Sequence, residues 1–118
     1  MTPFWDQLDE LSRTSDIIVD RPRGSHHPRF PDLVYPLDYG YLSGTTAGDG
    51  HGIDVWLGSQ NARELVGMIC TADLKKRDTE IKLLLGCDER DIQSVQAFLN
   101  GHGSFGCLFV RREGGYHA

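Results

Sequence analysis

The sequence has few cysteines and no long apolar run, and these absences exclude several classes of protein. Its three cysteines, Cys70, Cys87 and Cys107, are widely spaced and form no CxxC pair, so neither a zinc knuckle nor a redox dithiol is indicated. The apolar runs are only a few residues long, which is too short to cross a bilayer. The first eleven residues carry acids and do not resemble a secretory leader. We therefore expect a cytoplasmic protein with reduced thiols.

Positive charge is also in short supply. The 12 Lys and Arg residues are outnumbered by 17 Asp and Glu residues, which leaves a formal net charge of −5. A general nucleic-acid binder needs a basic surface, so this class is disfavoured. The length of 118 residues and the ordinary hydrophobic content of 39% predict a single soluble domain over residues 1–118.

Short strands dominate the predicted secondary structure. Apolar or alternating segments predict strands at residues 17–19, 33–35, 53–57, 65–70, 81–85 and 105–110. Several short strands followed by one late helix are typical of a small closed barrel. The predicted fold class is therefore mainly β with one C-terminal helix, arranged as a small closed β-barrel of the OB type.

Two segments carry helix signals. The late helix is predicted to begin after Asp88 and to end at Asn100-Gly101. Its apolar stripe consists of Ile92, Val95, Phe98 and Leu99. A short helix can also begin at Pro3, with Thr2 as its cap. Its predicted apolar face consists of Phe4, Leu8 and Leu11.

Aspartates bracket two loops. Asp49 and Asp54 enclose a glycine-rich loop whose flexible backbone can turn both carboxylates toward one point. Asp54 lies in an apolar strand, where a carboxylate is costly to bury unless it is paired or bound to metal. Asp73 and Asp78 flank a second, charged loop. If both loops open at one rim, four carboxylates converge, and such oxygen ligands suit Mg²⁺. An ordinary surface turn at Asp49 is the alternative.

The sequence resembles the soluble inorganic pyrophosphatases. The resemblance is carried by Tyr35-Pro-Leu-Asp-Tyr-Gly-Tyr41 and Asp49-Gly-His-Gly-Ile-Asp54-Val55, and it continues through Val66-Gly-Met-Ile-Cys-Thr-Ala-Asp73 to Asp78. Upstream, Ile18-Val-Asp-Arg-Pro-Arg-Gly24 resembles an early strand and turn of that family. The similarity covers residues 17–85, and the spacings between the aspartates agree with those of the family.

This resemblance implies an OB-type barrel that hydrolyses pyrophosphate to two phosphates with several Mg²⁺ ions. It implies that Asp49, Asp54 and Asp78 bind the activating metals and that Asp73 binds a substrate-associated metal. Asp20 takes the place of a glutamate in or beside the metal site. It also implies a homo-oligomer, to which the N-terminal apolar residues Phe4, Trp5 and Leu8 could contribute.

The substrate would be held by a tyrosine and by arginines. Tyr39 resembles the active-site tyrosine of the family, and Arg29 stands where a phosphate-binding lysine is expected. Arg23 is a further candidate for contact with phosphate. Pyrophosphate or another small phosphoanhydride is the expected partner, with no nucleic acid and no membrane.

The chain also departs from the family pattern. His51 stands where the family has an aspartate that helps to activate water, and Glu80 replaces a lysine that contacts phosphate. Pro31 replaces a glutamate. A neutral imidazole suits Mn²⁺, Co²⁺ or Zn²⁺ better than Mg²⁺, or it could act as a general base.

The predicted function is divalent-metal-dependent hydrolysis of pyrophosphate, with His51, Asp54 and Tyr39 as the catalytic residues. The alternative is a weakened pyrophosphatase relative that binds metal and a phosphate-bearing ligand without efficient hydrolysis. The retained aspartates favour the first possibility, and the replaced residues favour the second.

Overall fold

The computed structural model describes residues 3–101 and 103–112 of the chain. In chain order, its elements are α1 (Pro3–Thr14), β1 (Ile17–Arg21), β2 (Asp38–Leu42), β3 (Ile53–Leu57), β4 (Leu65–Asp73), β5 (Asp78–Leu85), α2 (Glu89–Leu99) and β6 (Phe105–Arg111). The strands form one sheet in the order β1-β2-β3-β5-β4-β6. Only β3 and β5 run parallel, and every other neighbouring pair is antiparallel.

Alternation along the central strands divides the core into two layers. Val55 and Leu83 pack with residues of α1, whereas Trp56 and Leu84 pack with residues of α2. Successive strand residues point to opposite faces, so each apolar strand serves both layers. We call the two sides of the sheet the α1 face and the α2 face.

The predicted C-terminal helix is confirmed as α2. The side chain of Asp88 accepts the backbone N–H of Asp91, and the side chain of Asp91 accepts that of Asp88, which makes a capping box. Ile92 and Val95 of the predicted stripe are buried in the core of the α2 face. The helix ends at its C-cap residue, Asn100, as predicted.

The N-terminal helix α1 buries a different face from the predicted one. Leu8 is buried, but Phe4 is 47% and Leu11 is 38% exposed, whereas Trp5 is only 4% exposed. Trp5 and Leu8 pack against Leu42 and its neighbours on the α1 face. The two most buried N-terminal apolar side chains therefore contact the chain's own sheet. The predicted cap, Thr2, lies outside the described residues.

The mainly β class is confirmed, but a closed barrel is not. Among the described strands no ladder joins β1 to β6, so the sheet is open, and it carries two helices where the predicted class has one. The strand predicted at residues 33–35 is wrong, because Val34 makes only an isolated bridge with His26. Strand β2 was not predicted.

The expectation of reduced thiols agrees with the structure, in which Cys70, Cys87 and Cys107 are all free. Cys87 is buried, and burial raises its pKa to about 12. In the described part of the chain, no helix combines the length and the apolar character needed to cross a membrane.

Candidate functional site

A buried lysine lies at the centre of the acidic residues on the α2 face. Lys82 of β5 is only 8% exposed. Its Nζ donates hydrogen bonds to Tyr39 Oη at 2.7 Å, to Asp54 Oδ2 at 3.0 Å and to Glu80 Oε1 at 3.2 Å. All three donors of the ammonium group therefore have an oxygen partner. We call these four side chains the Lys82 cluster.

The register of the sheet brings these side chains together. Asp54 of β3 is paired directly with Lys82 in the parallel ladder. Glu80 precedes Lys82 by two residues on β5, so both side chains project from the same face. Tyr39 of β2 is paired with Trp56, the α2-face residue that follows Asp54 by two positions. Three regular strands, and no flexible loop, therefore supply the cluster.

The cluster keeps its lysine charged and its tyrosine neutral. Burial acts to lower the pKa of Lys82, but Tyr39, Asp54 and Glu80 outweigh it and raise the pKa overall. Burial is also the main reason that the pKa of Tyr39 is raised. Because one ammonium faces two carboxylates, the cluster has a formal net charge of −1.

Aromatic rings pack against the Lys82 cluster on the side that faces the core. The Tyr39 ring centroid lies 4.6 Å from that of Trp56 and 5.8 Å from that of Tyr35. These rings, together with Lys82 and Phe98, contribute to the lining of a cavity of about 130 Å³. Within the described residues, Trp56 Nε1 is buried and has no hydrogen-bond partner. Charges here are less screened by water than charges at the rim.

The four aspartates predicted as metal ligands line two separate depressions. Asp49 and Asp54 line a cavity of about 250 Å³, to which Glu80 also contributes. Asp73 and Asp78, which are paired at the turn end of the β4–β5 hairpin, line a second cavity of about 610 Å³. The structure therefore brings these residues together in pairs.

The carboxylates of both depressions already have partners. Asp49 Oδ1 accepts the backbone N–H of His51 at 2.9 Å. Asp73 Oδ1 accepts two backbone N–H groups of the loop that follows it. Asp78 Oδ2 lies 3.6 Å from Lys76 Nζ. Each of these three carboxylates therefore has at least one partner within the chain.

As they are placed, these side chains do not form the ligand set that the resemblance implies for Mg²⁺. Hard divalent cations take several oxygen ligands at short distance. Across residues 3–101 and 103–112, no group of three or more His, Cys, Asp or Glu side chains is arranged to hold a metal ion. The position between Asp54 and Glu80 is taken by Lys82 Nζ. Metal binding by the four aspartates stays a prediction.

The other predicted site residues lie outside the Lys82 cluster. Asp20 is exposed at an irregularity in β1, and His51 is exposed in the turn after Asp49. Arg23 lines a different cavity, of about 410 Å³, near the start of α2. Arg29 is exposed, and its backbone N–H donates to a neighbouring histidine ring. Of the predicted site residues, only Tyr39 and Asp54 belong to the cluster.

Lys82 was not identified from the sequence, and Glu80 was noted only as a residue that replaces a lysine of the family. A signal was present, because a period of two along β5 places both residues on the same side as Leu84, which is fully buried. A lysine in such a position needs an acidic or polar partner.

Comparison with known proteins supports the fold. No protein-family model matches the chain, and none of the curated proteins matches it significantly. Among solved structures, it is similar to an inorganic pyrophosphatase from Neisseria gonorrhoeae, with a TM-score of 0.59 and 15% identity over 76% of this chain and 77% of that one.

Two further solved structures are similar to the same extent. An inorganic pyrophosphatase from Coxiella burnetii has a TM-score of 0.56 and 12% identity, with 80% of this chain and 82% of that chain covered. An inorganic phosphatase from Anaplasma phagocytophilum has a TM-score of 0.55 and 16% identity, with 80% and 81% covered. At these identities the likeness shows a pyrophosphatase-like fold.

Proposed function

We propose that this chain is a weakened relative of the inorganic pyrophosphatases, which binds a small phosphoanhydride on the α2 face and hydrolyses pyrophosphate slowly. The pyrophosphatase-like fold supports the ligand class. The observation that carries the proposal is the position of Lys82 Nζ between Asp54 and Glu80. This position of Lys82 distinguishes the site from one in which free carboxylates bind several metal ions.

Cations and hydroxyls near the turn of the β4–β5 hairpin are candidates for phosphate binding. Arg77 lines the depression next to Asp78, and the hydroxyl-bearing residues Thr79 and Ser104 line it as well. Lys76 lies on the same loop as Arg77, with 55% of its side chain exposed. Phosphate oxygens are bound well by such groups, and best by arginine.

The contacts of Asp54 support slow hydrolysis. A general base must be free to accept a proton from the attacking water. Asp54 Oδ2 instead accepts a hydrogen bond from the ammonium of Lys82. Because this oxygen is held by Lys82, it is not free to accept a proton from water. We therefore expect ligand binding to be retained better than turnover.

Efficient metal-dependent pyrophosphate hydrolysis, with Mg²⁺ or with Mn²⁺, Co²⁺ or Zn²⁺ as cofactor, is the second candidate function. The observation in its favour is that Asp49, Asp54 and Glu80 line one cavity. Such a set could recruit a cation if Lys82 moved away from it. The two candidates differ in their expected rates.

A phosphate-release assay distinguishes these functions. Pyrophosphate, tripolyphosphate and ATP are each tested with EDTA and with Mg²⁺, Mn²⁺ or Zn²⁺, and pyrophosphate binding is measured by calorimetry. We expect binding together with a kcat below about 1 s⁻¹, the low end for ordinary enzymes. A kcat above about 10 s⁻¹ supports the second candidate and contradicts the first.

The matched control is Asp54→Asn, purified in the same way. Phosphate release that does not co-elute with the protein on a final gel-filtration column would identify a contaminating pyrophosphatase as its source. If neither the wild type nor the variant binds any of the three compounds, the proposed ligand class is wrong.

A further inference from the structure

The position of Lys82 Nζ is like that of a bound cation. Oxygen atoms from three strands surround it, namely Tyr39 Oη, Asp54 Oδ2 and Glu80 Oε1, at 2.7, 3.0 and 3.2 Å. The side chains are largely buried, with 10% of Lys82, 26% of Asp54 and 20% of Glu80 exposed. Carboxylates withdrawn from water in this way require a positive partner.

Lys82 supplies this partner from the chain itself. The distances around Nζ are those of ordinary N–H···O hydrogen bonds. A Mg²⁺ ion would need its oxygen ligands at about 2.0–2.1 Å. The space between Asp54 and Glu80 can therefore hold the ammonium group or a divalent cation, but not both.

We propose that the Lys82 ammonium replaces a bound cation, so that Asp54 and Glu80 bind no divalent metal in this protein. Removal of the Lys82 side chain then turns Asp54, Glu80 and Tyr39 into a cation site. The inference concerns the face used in the proposed function, but its measurement is cation binding rather than phosphate release. Either proposal can therefore fail while the other survives.

The experiment compares Lys82→Ala with Lys75→Ala, which removes the same charge and the same atoms from an exposed loop position. Mn²⁺ affinity is measured by calorimetry and thermal unfolding is followed with and without Mn²⁺. We expect Lys82→Ala to bind Mn²⁺ at least about tenfold more tightly than the wild type does. Its melting temperature should rise with Mn²⁺, because a ligand of the folded state stabilises it.

Lys75→Ala and Lys82→Arg should both retain the wild-type response to Mn²⁺. The arginine variant keeps the positive charge in the cluster, so it separates loss of charge from change of side chain. Equal Mn²⁺ affinity in Lys82→Ala and the wild type would overturn the proposal. If Lys82→Ala is unfolded without metal, restoration of its folded circular-dichroism spectrum by Mn²⁺ supports the proposal, and failure to restore it counts against it.

Paramagnetic broadening of amide NMR signals gives the location of the ion. In Lys82→Ala, low Mn²⁺ concentrations should broaden the signals of Asp54 and Glu80 first. In the wild type, these two signals should persist after the signals of rim residues have broadened. Early loss of the Asp54 and Glu80 signals in the wild type would show that Lys82 does not exclude the metal.

Discussion

Asp54 and Lys82 occupy directly paired positions on the parallel strands β3 and β5, and their side chains meet on the α2 face with 3.0 Å between Oδ2 and Nζ. Neither group could be buried alone at low cost, because an uncompensated charge in a protein interior is strongly destabilising. A substitution in this pair should therefore change both the chemistry of the site and the stability of the sheet.

The first prediction is that Asp54 and Lys82 are energetically coupled. We expect Lys82→Met to lower the free energy of unfolding by about 3 kcal/mol, since it leaves two largely buried carboxylates without their positive partner. Asp54→Asn should cost about 2 kcal/mol, because Lys82 keeps Glu80 as a charged partner. The double variant should lose about 1.5 kcal/mol less than the sum of the two. Urea denaturation of the four proteins gives this coupling energy.

An exposed ion pair on the same face is the control for this cycle. Lys76 Nζ and Asp78 Oδ2 are 3.6 Å apart, with 55% and 35% of the side chains exposed. Water screens this pair, so Lys76→Met and Asp78→Asn should be coupled by less than about 0.5 kcal/mol. Similar coupling in both pairs would mean that burial of Lys82 has no special energetic effect.

The same pair shows what could be predicted from the sequence. The argument that Asp54 in an apolar strand needs a partner was sound, but the expected partner was a metal ion and the one observed is Lys82. The two residues are 28 positions apart in the chain. Their contact depends on a parallel pairing of β3 with β5, and periodicity within one strand carries no information about its neighbours.

Local signals were far more informative. The capping residue Asp88 and the stripe from Ile92 onward are encoded within one short segment, and α2 was predicted correctly. Strand β5 begins at Asp78 rather than at residue 81. The hydrophobic pattern missed its first three residues because Asp78, Thr79 and Glu80 are polar or charged. Sheet closure depends on contacts between the two edge strands, and no local pattern reports them.

The second prediction concerns Gly40, where β1 and β2 approach closely. A Cβ atom at this position would lie 1.9 Å from the backbone oxygen of Ile18, so a side chain there would force the strands apart. We expect Gly40→Ala to destabilise the fold by about 3 kcal/mol or more, at the upper end for overpacking. Chemical denaturation measures the loss.

Gly48→Ala is the matched control, because a Cβ atom at Gly48 meets nothing within 4 Å. It should change the free energy of unfolding by no more than about 0.5 kcal/mol. If Gly40→Ala were equally mild, the close pairing of Val19 with Gly40 would be incorrect.

The third prediction is an acid-dependent loss of stability through Asp91. Burial acts to raise its pKa, but hydrogen bonds from Ser59 and Asp88 outweigh it and lower the pKa. Because the pKa of Asp91 is lower in the folded state, its ionised carboxylate stabilises the fold at pH values above about 3.9, the usual pKa of an aspartate in an unfolded chain. This contribution is lost as the pH falls through the pKa of the folded state.

Asp91→Asn should therefore cost about 2 kcal/mol near neutral pH, where the hydrogen bonds from Ser59 N, Ser59 Oγ and Asp88 N lose their charged acceptor. The difference from the wild type should shrink below the folded pKa, since both side chains are then uncharged. Thermal denaturation between pH 2.5 and pH 7 measures both trends. A difference that stays constant with pH would contradict the assigned charge.

The last prediction concerns His51, which is exposed in the turn after Asp49 and whose backbone N–H donates to that carboxylate. His51→Asp adds a carboxylate two residues after Asp49, which lines one cavity together with Asp54 and Glu80. Because Mg²⁺ prefers oxygen to imidazole nitrogen, we expect this change to increase Mg²⁺-dependent phosphate release from pyrophosphate at least about tenfold. His51→Ala, which removes the ring without adding a ligand, is the control, and it should not gain with Mg²⁺ but should lose activity with Mn²⁺. If His51→Asp shows no gain and His51→Ala matches the wild type with both metals, then the side chain at position 51 has no part in the reaction. The weak activity would then have its cause in the Lys82 cluster.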